Sequence, residues 1–204
     1  MTKVKICGLS RPIDIDMVNT VLPDYIGFVF AKSRRQVTEV MAKELKERLL
    51  PQIQAVGVFV NEELEKIMHL CKDGIIDLIQ LHGDEDENYI RELRKGVKNP
   101  IIKAVRVRNT KDIEEAAKLT CDYLLLDTYK EGLYGGSGEI FDWSVITKIE
   151  KPFFLAGGLH TENILQAISQ ANPYCIDVSS GVETDGIKDR NKIIDIITKV
   201  RSVR

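Results

Sequence analysis

The chain reads as an α/β protein, a single compact (β/α)8 TIM barrel, and three observations lead there. Eight short, almost continuously apolar runs recur along its 204 residues. Charge-rich segments with helical spacing separate them. Polar and reactive residues gather at the C-terminal ends of the runs, whereas the starts carry Val4, Tyr25, Ile53, Pro100 and Pro152. Runs apolar on both faces are what a buried parallel sheet needs, and strands alternating with helices build such a sheet. Eight units of about 25 residues fit a closed barrel at the short end of its size range. An open doubly wound sheet is the structural alternative, but no GxGxxG follows the first strand. No linker or low-complexity tract divides the chain, so one domain is expected over residues 1–204.

The elements follow in order. "VKICGL" (4–9) is the first strand and ends in a thiol and a glycine; "RPIDIDMVNTV" takes the helical place after it. "YIGFVF" (25–30) leads past Arg34 and Arg35 to "TEVMAKELKERLL", with a cap at Thr38 and Val40, Met41, Leu45 and Leu49 expected on one buried face. "IQAVGVFV" (53–60) precedes "NEELEKIMHLCKDG", which predicts a cap at Asn61 and a stop at Gly74. "LIQLH" (78–82) delivers His82 and runs into "DENYIRELRKGV". "PIIKAVRV" (100–107) carries Arg106, and "TKDIEEAAKL" opens at Thr110. "YLLLDT" (123–128) delivers Asp127. The long segment "YKEGLYGGSGEIFDW" (129–143) holds four glycines and two tyrosines. It suits a cover that closes over substrate, with Trp143 anchoring a helix beyond it. "PFFLAGGL" (152–159) and "YCIDVSS" (174–180) are the last two strands, followed by "TENILQAISQ", opening at Thr161, and "DRNKIIDIITKVR".

Composition narrows the function classes. A formal net charge of −2 gives no global attraction to nucleic acid or to a membrane surface. The apolar runs are strand-length, well short of the roughly 20 residues of a membrane span. "MTKVKICGLS" lacks the layout of a signal peptide. Cys7, Cys71, Cys121 and Cys175 form no CxxC pair, and His69, His82 and His160 show no ligand spacing. The expectation is free thiols in a reducing cytoplasm, with no metal site.

Two glycine-rich turns fall where a barrel of this kind binds phosphate, after strands seven and eight. "LAGGLHTEN" offers Gly157 and Gly158, and "DVSSGVETDG" offers Ser179, Ser180 and Gly181. Successive backbone N–H groups in such turns cradle anions. A phosphorylated small molecule is therefore the expected substrate class.

"KICGL", "SRRQV", "QLHG", "LLLDT", "GGSGEIFDW", "LAGGL" and "DVSSGVE" occur in series. From residue 3 to about residue 190 this series resembles the phosphoribosylanthranilate isomerases of tryptophan biosynthesis. One departure is "GGSG" for an expected GGTG, which keeps the hydroxyl. The resemblance implies a (β/α)8 barrel without metal or organic cofactor, occurring as a monomer or homodimer. It implies an Amadori rearrangement with Cys7 as base and Asp127 as acid. It also implies that Arg35 pairs with the anthranilate carboxylate; adjacent Arg34 is expected to be a solvated charge.

His82 is either a substrate contact or a structural hydrogen-bonding residue, and Asp177 either binds a ribose hydroxyl or holds its loop. Cys71, Cys121 and Cys175 read as packing residues, and Arg106 as a stabilising charge near the mouth. Three other readings compete. A metal-type epimerase would need more histidines at strand ends, and a Schiff-base aldolase would need a strand-end lysine where Lys103 comes too early. A non-catalytic phosphate sensor would not need the pair Cys7 and Asp127. An isomerase of the histidine pathway performs the same chemistry on a larger substrate but uses two carboxylates, so Cys7 favours the tryptophan pathway.

Overall fold

A computed structural model describes residues 1–128, 141–146 and 149–203. Eight parallel strands close into a barrel in sequence order: β1 (Lys3–Cys7), β2 (Tyr25–Val29), β3 (Gln54–Phe59), β4 (Leu78–Leu81), β5 (Ile101–Val107), β6 (Tyr123–Thr128), β7 (Phe153–Leu155) and β8 (Cys175–Val178). Closure is made by β1 against β8, with Lys3 opposite Cys175 and Lys5 opposite Asp177. Seven of the eight strands fall within the runs read from the sequence, and β1 starts one residue before its run, at Lys3. Among the described residues seven α-helices follow them: α1 (Pro12–Val21), α2 (Glu39–Arg48), α3 (Leu64–Lys72), α4 (Glu87–Gly96), α5 (Thr110–Ala116), α6 (Ile164–Ala171) and α7 (Arg190–Ser202). A short antiparallel pair that the sequence did not suggest, β9 (Glu183–Thr184) and β10 (Ile187–Lys188), lies between β8 and α7.

Strand periodicity explains the continuous apolar runs. Tyr25, Val56, Leu78, Ile102, Leu125, Phe154 and Cys175 form one buried cluster. Their strand neighbours Ile26, Ala55, Ile79, Ile101, Leu124, Leu155 and Ile176 join a second cluster with helix residues such as Ile67, Leu70, Ile90 and Ile193. Alternate side chains thus fill the barrel or face the helices. The N-terminal end of the interior is plugged by aromatic rings. Phe154 lies between 5.5 and 5.8 Å from the rings of Tyr25, Tyr123 and Tyr174. Lys3 Nζ caps the plug, 5.3 Å from the ring centres of Tyr25 and Tyr174. The opposite end is left open.

Several helix details depart from the sequence reading. Thr38 caps α2 as expected, its Oγ1 accepting from the Met41 N–H at 3.2 Å. The buried face of that helix, however, is Ala42 and Leu45 with Leu49 beyond, while Val40 is 68 % exposed and Met41 38 %. The buried position between them and Leu45 is taken by small Ala42, and Val40 and Met41 point outward.

Asn61 is not the cap of α3: it adopts φ 49°, and its side chain instead accepts from the Asp84 N–H. Asn109 rather than Thr110 caps α5, in a reciprocal box with Asp112. Asn163 rather than Thr161 stands at the start of α6. Gly74 ends α3 with φ 69°, as read. Trp143 is buried but opens a single 3₁₀ turn, Trp143–Val145, not the expected α-helix. The expected cover over 129–143 lies, for residues 129–140, outside the described residues. Among the described residues no helix is long and apolar enough to cross a membrane.

Phe154 is fully buried at the centre of the aromatic plug, so Phe154→Ala will cost about 3–5 kcal/mol. Urea unfolding should show a lower midpoint with an unchanged slope; a midpoint within error of the parent would refute the plug's contribution.

Candidate active site

A cavity of about 710 Å³ opens at the C-terminal ends of the strands. Cys7, Arg35, His82, Asp127, Gly157, Gly158, Asp177, Ser179 and Ser180 all line it. Of the ten residues assigned to the site from sequence, Gly181 alone does not line it. A Cβ on Gly181 would fall 1.9 Å from the Leu159 carbonyl oxygen, so this glycine lets the strand-eight turn pass against the strand-seven loop.

Cys7 is the last residue of β1, and Lys5 shares its inward face. Gly27 on β2 makes room for the thiol, since a Cβ there would sit 2.6 Å from Sγ. Burial pushes the Cys7 thiol above its ordinary range. The Lys5 and Lys188 cations pull it down and Asp177 adds to the rise; burial prevails. The lowering that a base near neutrality needs is thus absent from the free site.

Lys5 is fully buried, yet its ammonium is held above the ordinary lysine value. Burial works against the charge, but Asp177 and Cys7 more than offset it. Its Nζ donates to Asp177 Oδ2 at 2.6 Å and to Gln80 Oε1 at 2.8 Å, and Cys7 lies within its hydrogen-bonding reach. Gln80 Nε2 is 2.7 Å from His82 Nδ1. His82 Nε2 is in turn 3.3 Å from Asp127 Oδ2, close but not aligned as a hydrogen bond. Asp127 Oδ1 accepts from the Thr128 N–H at 2.8 Å. Asp177 Oδ1 is buried and has no hydrogen-bond partner among the described residues.

Arg35 is held across the mouth by Glu183 at the start of β9. Its Nε donates to Glu183 Oε1 at 2.7 Å and its Nη2 to Oε2 at 2.9 Å. Lys188 Nζ donates to Oε1 at 2.7 Å. Arg34, expected to be a solvated charge, is 58 % exposed but also donates to Glu183 Oε2 at 2.7 Å. Burial pushes the Glu183 carboxyl up, but Arg35 and Lys188 outweigh it and hold it below the usual range. Gly8, at φ 82°, lies flush against the Arg35 side chain: a Cβ would meet Cδ at 2.4 Å.

Gly157 and Gly158 take φ 83° and 61°, so both need the left-handed region, and a Cβ on Gly157 would meet Thr128 Oγ1 at 2.3 Å. The Ser179 hydroxyl donates to the Cys7 carbonyl at 3.0 Å, tying the strand-eight turn to the end of β1. The N–H groups of Gly158, Ser180 and Gly181 find no backbone acceptor among the described residues. Those of Gly158 and Ser180 are donors at the cavity's edge.

Other residues fall outside the site. Arg106 pairs with Asp84 at 2.5 Å. Cys175 and Cys121 are buried and Cys71 half-buried, as packing residues would be. Lys103 donates to the Gly83 carbonyl and to Glu85, both at 2.7 Å, and does not line the cavity. The histidines do show one grouping that sequence spacing did not reveal. Glu39, His69 and Asp73 bring ligand atoms within 4.8 Å of one another on the outer surface of α2 and α3.

Sequence reasoning missed Lys5, Gln80, Glu183 and Lys188. The first two were findable: Lys5 sits two residues before Cys7, and Gln80 two before His82, each polar inside a buried strand.

Comparison with known proteins gives the family. Residues 4–199 match the family model described as N-(5'phosphoribosyl)anthranilate (PRA) isomerase. The N-(5'-phosphoribosyl)anthranilate isomerase of Endomicrobium trichonymphae is 50 % identical over 203 residues, covering 100 % of both chains. That of Acetivibrio thermocellus is 47 % identical, covering 98 % of this chain and 96 % of its own. Among solved structures, phosphoribosyl anthranilate isomerase from Thermotoga maritima superposes with a TM-score of 0.90 at 36 % identity over 100 % of both chains. An isomerase crystallised with reduced 1-(o-carboxyphenylamino)-1-deoxyribulose 5-phosphate gives 0.85 at 35 % identity, again over 100 % of both. The chain belongs to the N-(5'-phosphoribosyl)anthranilate isomerase family.

Proposed function

We propose that this chain converts N-(5'-phosphoribosyl)anthranilate to 1-(2-carboxyphenylamino)-1-deoxyribulose 5-phosphate, an aldose-to-ketose step of tryptophan biosynthesis. Within the family match, one observation carries the reading. A buried thiol on β1, a carboxyl on β6 and free backbone donors after β7 and β8 line a single cavity.

The residue roles follow from the chemistry. Asp127, as the acid, protonates the furanose ring oxygen, and the ring opens to a protonated Schiff base. Cys7, as thiolate, removes the C2′ proton. The resulting enolamine tautomerises to the ketone, so the product is an isomer of the substrate. The turns at Gly157–Gly158 and Ser179–Gly181 hold the phosphate, with Gly181 keeping its turn in place. Asp177 Oδ1, buried and without a partner among the described residues, suits a ribose hydroxyl. Arg35 commits Nε and Nη2 to Glu183, which leaves Nη1 for the anthranilate carboxylate. The fork of Arg35 thus grips Glu183, which aims the remaining donor. The free thiols suit a reducing cytoplasm, and the chain acts as a monomer or homodimer on a small phosphorylated substrate.

The fluorescence of phosphoribosylanthranilate generated in situ should decay promptly with the parent protein; binding without decay would favour a phosphate-sensing barrel. Cys7→Ser and Asp127→Asn should each lower kcat about 10²- to 10⁴-fold. Parent-like turnover in either would remove that residue from its role. Since burial raises the Cys7 thiol, kcat/KM should keep rising as the pH passes the ordinary thiol value of about 8.5. A plateau reached well below that value would exclude Cys7 as the base of the free enzyme.

Glu183→Gln should raise KM more than it lowers kcat, because Arg35 loses its anchor. The folded Glu183 carboxyl binds its proton more weakly than the unfolded one. Its contribution to stability is therefore complete above the ordinary carboxylate range and lost as pH falls through the depressed folded value. Thermal unfolding across that acid range should be less pH-dependent in the variant; identical profiles would deny the pair a role in stability.

A further inference from the structure

We infer that Lys5 and Gln80 are positioning residues that fix the tautomer of His82, so that its proton sits on Nε2, the ring nitrogen beside Asp127. The inference starts from a group with only one hydrogen-bonding role. An ammonium donates and never accepts. Lys5 is fully buried, and its Nζ sits 2.8 Å from one terminal atom of the Gln80 amide. That atom must be the carbonyl oxygen. The other terminal atom, 2.7 Å from His82 Nδ1, is then the amide nitrogen, which can only donate. Nδ1 must accept, and a neutral imidazole with an acceptor at Nδ1 carries its proton on Nε2. Nε2 is buried and lies 3.3 Å from Asp127 Oδ2, with no aligned hydrogen bond to any described residue.

The alternative arrangement fails at the Gln80 amide. A proton on Nδ1 would confront the Gln80 amide hydrogens. Turning the amide over to relieve that conflict would set its NH₂ group against the Lys5 ammonium. Lys5 cannot readily swing aside, since Asp177 Oδ2 holds it at 2.6 Å. One buried cation therefore orients an amide, the amide selects a tautomer, and the tautomer supplies a donor beside Asp127.

The catalytic consequence rests on the reading of Asp127 as the acid. As Asp127 gives its proton to the ring oxygen, negative charge grows on a carboxylate whose Oδ2 lies 3.3 Å from Nε2. A protonated Nε2 there gains a hydrogen bond as that charge develops, which stabilises the transition state more than the ground state. The tautomer itself rests on geometry alone.

The test uses the intact protein with ¹⁵N-labelled histidine, the His82 signals being assigned by their loss in His82→Asn. At a pH where the rings are neutral, His82 should show a protonated Nε2 and a bare Nδ1. The opposite pattern overturns the inference, whatever Asp127 does. In Gln80→Glu the carboxylate accepts from both Lys5 and the ring, so the proton should move to Nδ1. Inversion should lower kcat about 10- to 100-fold with KM changed less than about threefold. Inversion with unchanged kcat refutes the positioning role. Should Gln80→Glu not fold, Gln80→Met removes the amide at similar size. His82 should then populate both tautomers with a reduced kcat, and a ring still wholly Nε2-protonated would refute control by Gln80. Asp127→Asn separates the two readings: parent-like kcat there defeats the acid assignment and leaves the tautomer untouched.

Discussion

A lysine with no solvent exposure sits in the middle of this barrel, and the active site is arranged around its charge. Moving an ammonium out of water costs several kcal/mol even after relaxation, and only well-placed partners offset it. Lys5 has them: the Asp177 carboxylate, the Gln80 carbonyl and the neighbouring Cys7. Each partner comes from a different strand end or strand interior, so the charge binds β1, β4 and β8 together. Removing one partner would leave a buried charge uncompensated, which typically costs about 3–5 kcal/mol. The same geometry that satisfies the lysine also fixes the orientation of Gln80 and Asp177. Stability and site geometry are here one set of contacts.

Parity carries that arrangement upward. On β1 the inward positions are Lys3, Lys5 and Cys7, rising from the aromatic plug through the cation to the thiol. On β4 and its extension they include Gln80 and His82, and on β8 Cys175 and Asp177. A parallel barrel sends every strand the same way, so the upper inward residue of each meets the others at one end. The lower end needs no function and is filled by Phe154 and three tyrosines. Glu183 performs at the rim what Lys5 performs inside: four donor groups from Arg34, Arg35 and Lys188 converge on one carboxylate. The β8 loop is thereby tied to the β2 loop.

Much of this was legible in the residues. Eight apolar runs became eight strands, because burial on both faces leaves few polar positions for doubt. Cys7, His82, Asp127 and Asp177 stood out as polar groups at or near the ends of such runs, and all reach the cavity. The errors have local causes. Val40 and Met41 were counted as core because they are apolar, but the buried position on α2 goes to Ala42, and the sequence does not rank a small residue above a large one. Asn61 looked like a cap because asparagine favours caps, but it equally favours the left-handed turn it adopts. Glu183 could not be found at all by strand reasoning. Its partners Arg34 and Arg35 lie about 150 positions away in sequence, and no periodicity spans that gap.

The resting electrostatics also bear on the order of the two proton transfers in the proposed reaction. The fixed cations are already committed, Lys5 to Asp177 and both Arg35 and Lys188 to Glu183. They leave the buried Cys7 thiol above its ordinary range. An incoming phosphate adds negative charge and disfavours a thiolate further. Protonation of the ring oxygen by Asp127 opens the sugar to a cationic Schiff base and leaves a carboxylate, while Cys7 reaches its thiolate form by losing its proton to solvent. The cation makes the C2′ proton more acidic. The acid step must therefore come first, because it creates the acidity that the second step consumes. His82 Nε2, 3.3 Å from Asp127 Oδ2, stands beside the step on which the other depends.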